Sequence, residues 1–123
     1  MKILIIDDEG MIRNLAGRIL QKRGYDVAFA ENGQDGIAQV TADPSQFDLV
    51  IVDMFMDGIS GVETISAIHD VNDKIKFIMS SGNNMGEDDL PTELVSHTSF
   101  LQKPYRSQLL AEMVQDMLNP ITA

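Results

Sequence analysis

Apolar residues follow two rhythms along the chain. Ile3-Leu4-Ile5-Ile6, Leu49-Val50-Ile51-Val52 and Ile75 to Ser80 are short runs with little polar interruption, as expected of strands buried on both faces of a sheet. Between the first two runs the spacing changes. Ile12, Leu15, Ala16, Ile19 and Leu20 recur at i, i+3, i+4, i+7 and i+8, one face of a helix that Gly24 ends. Tyr25 to Ala30 reads as a further strand, Asn32-Gly33 as a turn, and Ile37 with Val40 as a short helix finished before Pro44. Ser60-Gly61-Val62-Glu63 has the Ser-to-Glu spacing of a capping box, and opens a helix with Val62, Ile65 and Ile68 inward. Thr98 to Gln102 predicts a fifth strand. Leu109, Leu110, Met113, Val114 and Met117 form the stripe of a last helix, closed by Asn119-Pro120. The weakest pattern lies before the fifth strand, where a short helix is expected to start near Pro91, because proline suits the first helical position.

Strand and helix alternate throughout, which predicts an α/β fold: a doubly wound parallel sheet with helices on both faces. Such sheets bind ligands at the carboxyl ends of their strands. Four strand ends here carry chemistry: Asp7-Asp8-Glu9, Asp53, Ser80-Ser81-Gly82 and Lys103-Pro104. Carboxylates gathered in one crevice repel, by roughly 4 kcal/mol for a pair ~4 Å apart at an effective dielectric near 20. A cation must offset that. Lys103 supplies one charge, and an all-oxygen donor set suits Mg²⁺, with Mn²⁺ as a substitute, better than zinc or copper. A carboxylate nucleophile, a hydroxyl, a lysine and Mg²⁺ suit phosphoryl transfer onto an aspartate.

Composition narrows the field. A chain of 123 residues forms one compact domain, 1–123, and 44% apolar residues argue against disorder. The net charge of -10 argues against direct nucleic-acid binding, which needs clustered Lys and Arg. The absence of cysteine excludes disulfides and thiol chemistry. No apolar run reaches the length of a membrane span, and a cytoplasmic location is the default expectation. There is no dinucleotide fingerprint and no Walker lysine loop, so an enzyme with its own substrate is disfavoured.

Four motifs, "ILIIDDEGMIR", "FDLVIVDMFMDGISGVE", "IKFIMSSG" and "FLQKPY", together resemble the receiver domain of two-component response regulators, from Lys2 to about Leu118. The resemblance implies a flavodoxin-like (βα)5 fold, a five-stranded sheet of order 2-1-3-4-5. It implies Asp53 as phosphoacceptor, Asp8 as a direct Mg²⁺ ligand and Asp7 acting mainly through a metal-bound water. The backbone carbonyl of Phe55 would be a further ligand. Ser81, preferred over Ser80 because Gly82 follows it, would bind the phosphoryl group. Lys103 would pair with Asp53 or its phosphate, and Phe100 would be the aromatic switch. The donor would be a histidine kinase or histidine phosphotransfer protein, and an unidentified protein would read the face made by the fourth helix, fifth strand and fifth helix. Bulky Phe55 is expected to shield the acyl phosphate from water, and Asp57 stands where the family often has proline.

Each residue alone has a plainer reading. Asp7-Asp8-Glu9 suits a helix N-terminus, Ser81 a loop, and Phe100 the core. His69 and His97 lack the surround of a phosphate donor. The competing functional reading is a receiver-like interaction module that works without phosphorylation. A free-standing regulator is expected, the alternative being a receiver excised from a larger regulator or hybrid kinase.

Overall fold

The computed structural model describes residues 1–54, 58–81, 90–102 and 106–118, with the backbone alone for Ser81. Five strands alternate with five helices: β1 (Lys2–Ile6), α1 (Gly10–Gln21), β2 (Asp26–Ala30), α2 (Gly33–Ala42), β3 (Leu49–Asp53), α3 (Gly61–Val71), β4 (Lys76–Ser81), α4 (Thr92–Val95), β5 (Thr98–Gln102) and α5 (Ser107–Leu118). The strands form one parallel sheet of order β2-β1-β3-β4-β5. The order reverses between β1 and β3, which puts the expected ligand crevice at the ends of those two strands.

Pleating explains why the inner strands are apolar at every position. Successive side chains point to opposite faces. Leu4, Ile6, Val50, Val52, Phe77 and Met79 join one core with Val40, Ile65, Ile68 and Leu94 from α2, α3 and α4. Ile3, Ile5, Leu49, Ile51 and Ile78 join a second core with Ala16, Leu20, Leu110 and Val114 from α1 and α5. All five residues of β3 are buried. The sheet is therefore the wall between two oily layers, and β3 lies at its centre.

Local signals account for the starts of α2 and α3. Ser60 Oγ accepts from Glu63 N at 3.1 Å while Ser60 N donates to Glu63 Oε1 at 3.4 Å, the reciprocal box expected from the sequence. Asn32, expected within a turn, instead caps α2, its Oδ1 accepting from Asp35 N at 2.8 Å. α2 lies tight against β1, since a Cβ on Gly36 would stand 2.3 Å from Ile6 Cδ1. α1 ends at Gln21, and Gly24 turns the chain beyond it with φ +89.

Two expectations from periodicity need correction. Leu15 is 39% exposed and Leu109 44% exposed, although both were placed on inward faces. At 100° per residue Leu15 lies about 120° round from the line through Ala16 and Leu20, at the rim of the buried stripe. α4 has four residues, with Pro91 capping it rather than occupying its first position. Leu94 holds it to the core and Thr98 Oγ1 donates to Leu94 O at 2.9 Å. Asn119-Pro120, the expected end of α5, lies outside the described residues. Among the described residues, no helix is long and apolar enough to cross a membrane.

Candidate functional site

Asp7 and Asp53 reach the same crevice because neighbouring strands deliver them. β1 and β3 pair in register up to Ile6 opposite Val52, so the next residue on each strand is an aspartate. The backbone extends the sheet past β1, since Asp7 N donates to Ala30 O at 3.2 Å. Asp53 closes β3 opposite Ser80 of β4, and Met54 N donates to Ser80 O at 2.8 Å. Asp7 is 1% exposed and Asp53 6% exposed, whereas Asp8 faces solvent. One carboxylate oxygen from each of Asp7, Asp8 and Asp53 lies within 4.8 Å of the others.

Three carboxylates at that distance require a positive counterpart. Two full charges 4.8 Å apart repel by at least roughly 3 kcal/mol at an effective dielectric of 20, less where Asp8 meets water. The donors are all oxygen, two are sheltered and one opens to solvent. That set fits a hard divalent ion that keeps several of its waters, which is the habit of Mg²⁺.

Neighbouring groups hold the carboxylates in place. Asp7 Oδ1 accepts from Glu9 N at 2.9 Å, which orients the carboxylate over the entry to α1. Arg13, one turn into α1, donates from Nη1 to Asp7 O at 2.6 Å and lies 4.0 Å from Glu31. Gly61 N donates to Met54 O at 3.0 Å, so the start of α3 rests on the chain just past Asp53. A Cβ on Gly61 would stand 2.6 Å from Asp53 O and 2.8 Å from Met54 Cα. Arg13 and Gly61 both lie inside quoted motifs, yet periodicity gave neither a role. Nothing in local spacing reveals that Arg13 reaches back to Asp7, or that α3 needs a residue without a side chain where it meets β3.

Other expected residues are placed less fully. Ser81 ends β4 opposite Gln102, and its side chain lies outside the described part, as do Phe55, Asp57 and Lys103. Ser80, passed over in the sequence, is fully buried beside Asp53 on the neighbouring strand. Phe100 sits in β5 opposite Met79, half-buried and packed against the core that includes Leu94.

Comparison with known proteins agrees with this geometry. The family model described as "Response regulator receiver domain" matches residues 3–115. Transcriptional regulatory protein YvrH of Bacillus subtilis is 30% identical over 114 residues, which is 92% of this chain and 47% of that protein. Sensor kinase CckA of Brucella abortus is 30% identical over 118 residues, covering 94% of this chain and 12% of the kinase. The chain thus spans about half or less of the length of these curated relatives. Among solved structures, response regulator TrrA of Thermotoga maritima in complex with Mg²⁺ and BeF is 32% identical, with a TM-score of 0.83 over 95% of this chain and 98% of that one. Chemotaxis protein CheY4 of Vibrio cholerae is 27% identical, with a TM-score of 0.83 over 95% of this chain and 98% of that one.

Proposed function

Because the chain belongs to the response regulator receiver family, we propose that it switches by accepting a phosphoryl group on Asp53 from a phosphohistidine donor. The observation that carries this reading is the placement of Asp53: buried, at the end of the central strand, within 4.8 Å of Asp7 and Asp8. A carboxylate oxygen of Asp53 attacks phosphorus in line with the donor nitrogen. The P–N bond breaks, an acyl phosphate forms, and the donor imidazole takes up a proton. Bound at Asp7, Asp8 and Asp53, Mg²⁺ would neutralise charge on the transferring phosphoryl oxygens. The Phe55 carbonyl is a further proposed ligand, with Asp7 acting mainly through a metal-bound water.

Asp7 and Asp8 hold the cation on the β1 side, and Glu9 N with Arg13 keeps Asp7 in position. Lys103 is proposed to pair with the phosphoryl oxygens, and Ser81 to donate its hydroxyl to them. Movement of Ser81 toward phosphate would draw Phe100 inward from β5, altering the α4-β5-α5 face that a downstream protein reads. A histidine kinase or histidine phosphotransfer protein is the proposed donor. The site chemistry is confined to the protein's own aspartate. The reading carries a cytoplasmic location with it.

The test is Mg²⁺-dependent labelling by a small phosphodonor such as acetyl phosphate, followed by intact mass. The wild-type protein is expected to gain one phosphoryl group with Mg²⁺ and none in EDTA, and Asp53→Ala to gain none. Failure of the wild-type protein to label would leave the phosphate-independent interaction module as the better reading.

A further inference from the structure

Leu15 and Leu109 are exposed on neighbouring helices, by 39% and 44%. A single uncovered leucine is ordinary on a protein surface. The surroundings of these two are less ordinary. α1 and α5 lie side by side over the core that holds Ile3 and Ile5. A groove of about 520 Å³ runs between them, lined from α1 by Leu15, Arg18, Ile19, Lys22 and Arg23 and from α5 by its first turn. Its charged side chains are all cations, three of the nine in a chain of net charge -10. Among the described residues, none of the three forms an ion pair with a carboxylate. Arg18 complements the dipole in the last turn of α1, which does not account for the apolar side chains beside it.

The outer face of α5 carries the opposite sign. Leu109, Glu112 and Asp116 fall at i, i+3 and i+7, one stripe of the helix, and all three are exposed. Leu15, Arg18 and Lys22 fall at i, i+3 and i+7 of α1, and these too are exposed. The two stripes share one spacing, a leucine followed by two charges, with the sign inverted. Among the described residues, Glu112 meets only the amide of Gln108, whose Nε2 donates to its Oε1 at 3.0 Å. Within one chain the stripes do not face each other. α5 turns Gln108, Ala111 and Gln115 toward α1, so its acidic stripe looks outward.

We propose that α1 and α5 form a self-complementary docking surface for a second copy of this chain. The α5 stripe of each copy enters the groove of the other, so the same contact is made twice about a two-fold axis. Laid parallel, the stripes bring Leu15 onto the partner's Leu109, Arg18 onto the partner's Glu112 and Lys22 onto the partner's Asp116. The leucines supply apolar contact, and the charge pairs fix register and choice of partner more than strength. A net charge of -10 keeps two copies apart in most orientations, and the groove is where the sign reverses. None of these residues belongs to the acidic crevice, so pairing does not require phosphorylation. α5 is also part of the face proposed to be read downstream, so pairing would compete with that protein. That consequence alone rests on the switch reading.

The experiment is sedimentation equilibrium of the whole unphosphorylated chain, at concentrations up to about 1 mM, the weak end of ordinary affinities. The mass is expected to rise from that of one chain toward that of two. The double variants Arg18→Glu with Lys22→Glu, and Glu112→Lys with Asp116→Lys, should each weaken self-association by at least ~10-fold, because like charges then face each other at both contacts. Mixed in equal amounts, the two variants should pair as the wild type does, since every contact again joins opposite charges. A zero-length carbodiimide applied to the unsubstituted protein guards against misfolded variants. In a mixture of light and isotope-labelled chains it should link Lys22 of one copy to Asp116 of the other. A wild type that stays monomeric, variants that associate as it does, a mixture that fails to pair, or no such link between copies would each overturn the inference.

Discussion

Gly61→Ala tests whether the start of α3 sets the position of the acceptor. A Cβ there would stand 2.6 Å from Asp53 O and 2.8 Å from Met54 Cα, whereas ordinary contact begins at 3.4 Å. The chain must open by about 0.8 Å, the difference between 3.4 Å and 2.6 Å, and the obstructing atoms are backbone that has no rotamer to change. Overpacking of this kind costs typically 1–3 kcal/mol, about 2 kcal/mol at the middle of the range. The gain in helix propensity from Gly to Ala is at most about 1 kcal/mol and smaller at a helix's first residue. A net loss of roughly 1–2 kcal/mol follows, which lowers Tm by about 4 °C per kcal/mol in a chain of this size. The functional effect should be larger than the thermal one. A reacting group displaced by about an ångström loses on the order of 100-fold in rate, so phosphodonor labelling of Asp53 should slow by roughly 10- to 100-fold. Calorimetry gives the first quantity. Labelling measured well below the variant's Tm gives the second. A variant that melts within a degree of wild type and labels at the wild-type rate would refute the reasoning.

Three further outcomes follow from the same geometry. Ser60→Ala removes the side-chain acceptor of the α3 capping box and should cost about 1 kcal/mol by urea unfolding, with Ser60→Gly milder by several tenths. Leu94→Ala deletes the fully buried anchor of a four-residue helix and should cost about 2–5 kcal/mol, with hydrogen exchange rising first in α4 and β5. Mg²⁺ at 100 times its Kd should stabilise the wild type by about 2.7 kcal/mol, read as a Tm shift reversed by EDTA. Asp8→Asn should lose most of that shift and, in EDTA, melt above wild type because one of three crowded carboxylates is gone. An equal Mg²⁺ shift in both proteins would place the ion elsewhere.

What could be read in the sequence was whatever a short window decides. Ile3 to Ile6 and Leu49 to Val52 are apolar at every position, which identifies a strand with a core on each side. Ser60 and Glu63 carry their own hydrogen bonds and therefore their own evidence. Asp7, Asp8 and Asp53 were legible because a doubly wound sheet gathers its strand ends, and the register of β1 on β3 does so here. Window reasoning loses force where a third element decides. Leu15 and Leu109 obey the helical period but fall at the edge of the face that neighbouring elements cover. Asn32-Gly33 is turn-like in composition, yet the helix behind it recruits the asparagine as a cap. Arg13 and Gly61 act across the fold on atoms of other elements, and no local rule reports such contacts.

The central place of β3 has a mechanical consequence. Asp53 ends a strand laced to β1 on one side and β4 on the other, so the backbone leading to it resists displacement from both sides. The acceptor is an anvil: a force applied there is not absorbed locally. Whatever yields must yield toward the edge, where β5 has a neighbour on one side and α4 is held to the core through Leu94. A stiff receiver beside a compliant border sends any disturbance in one direction, and slow-exchanging amides in β3 beside fast-exchanging ones in α4 and β5 would be its signature.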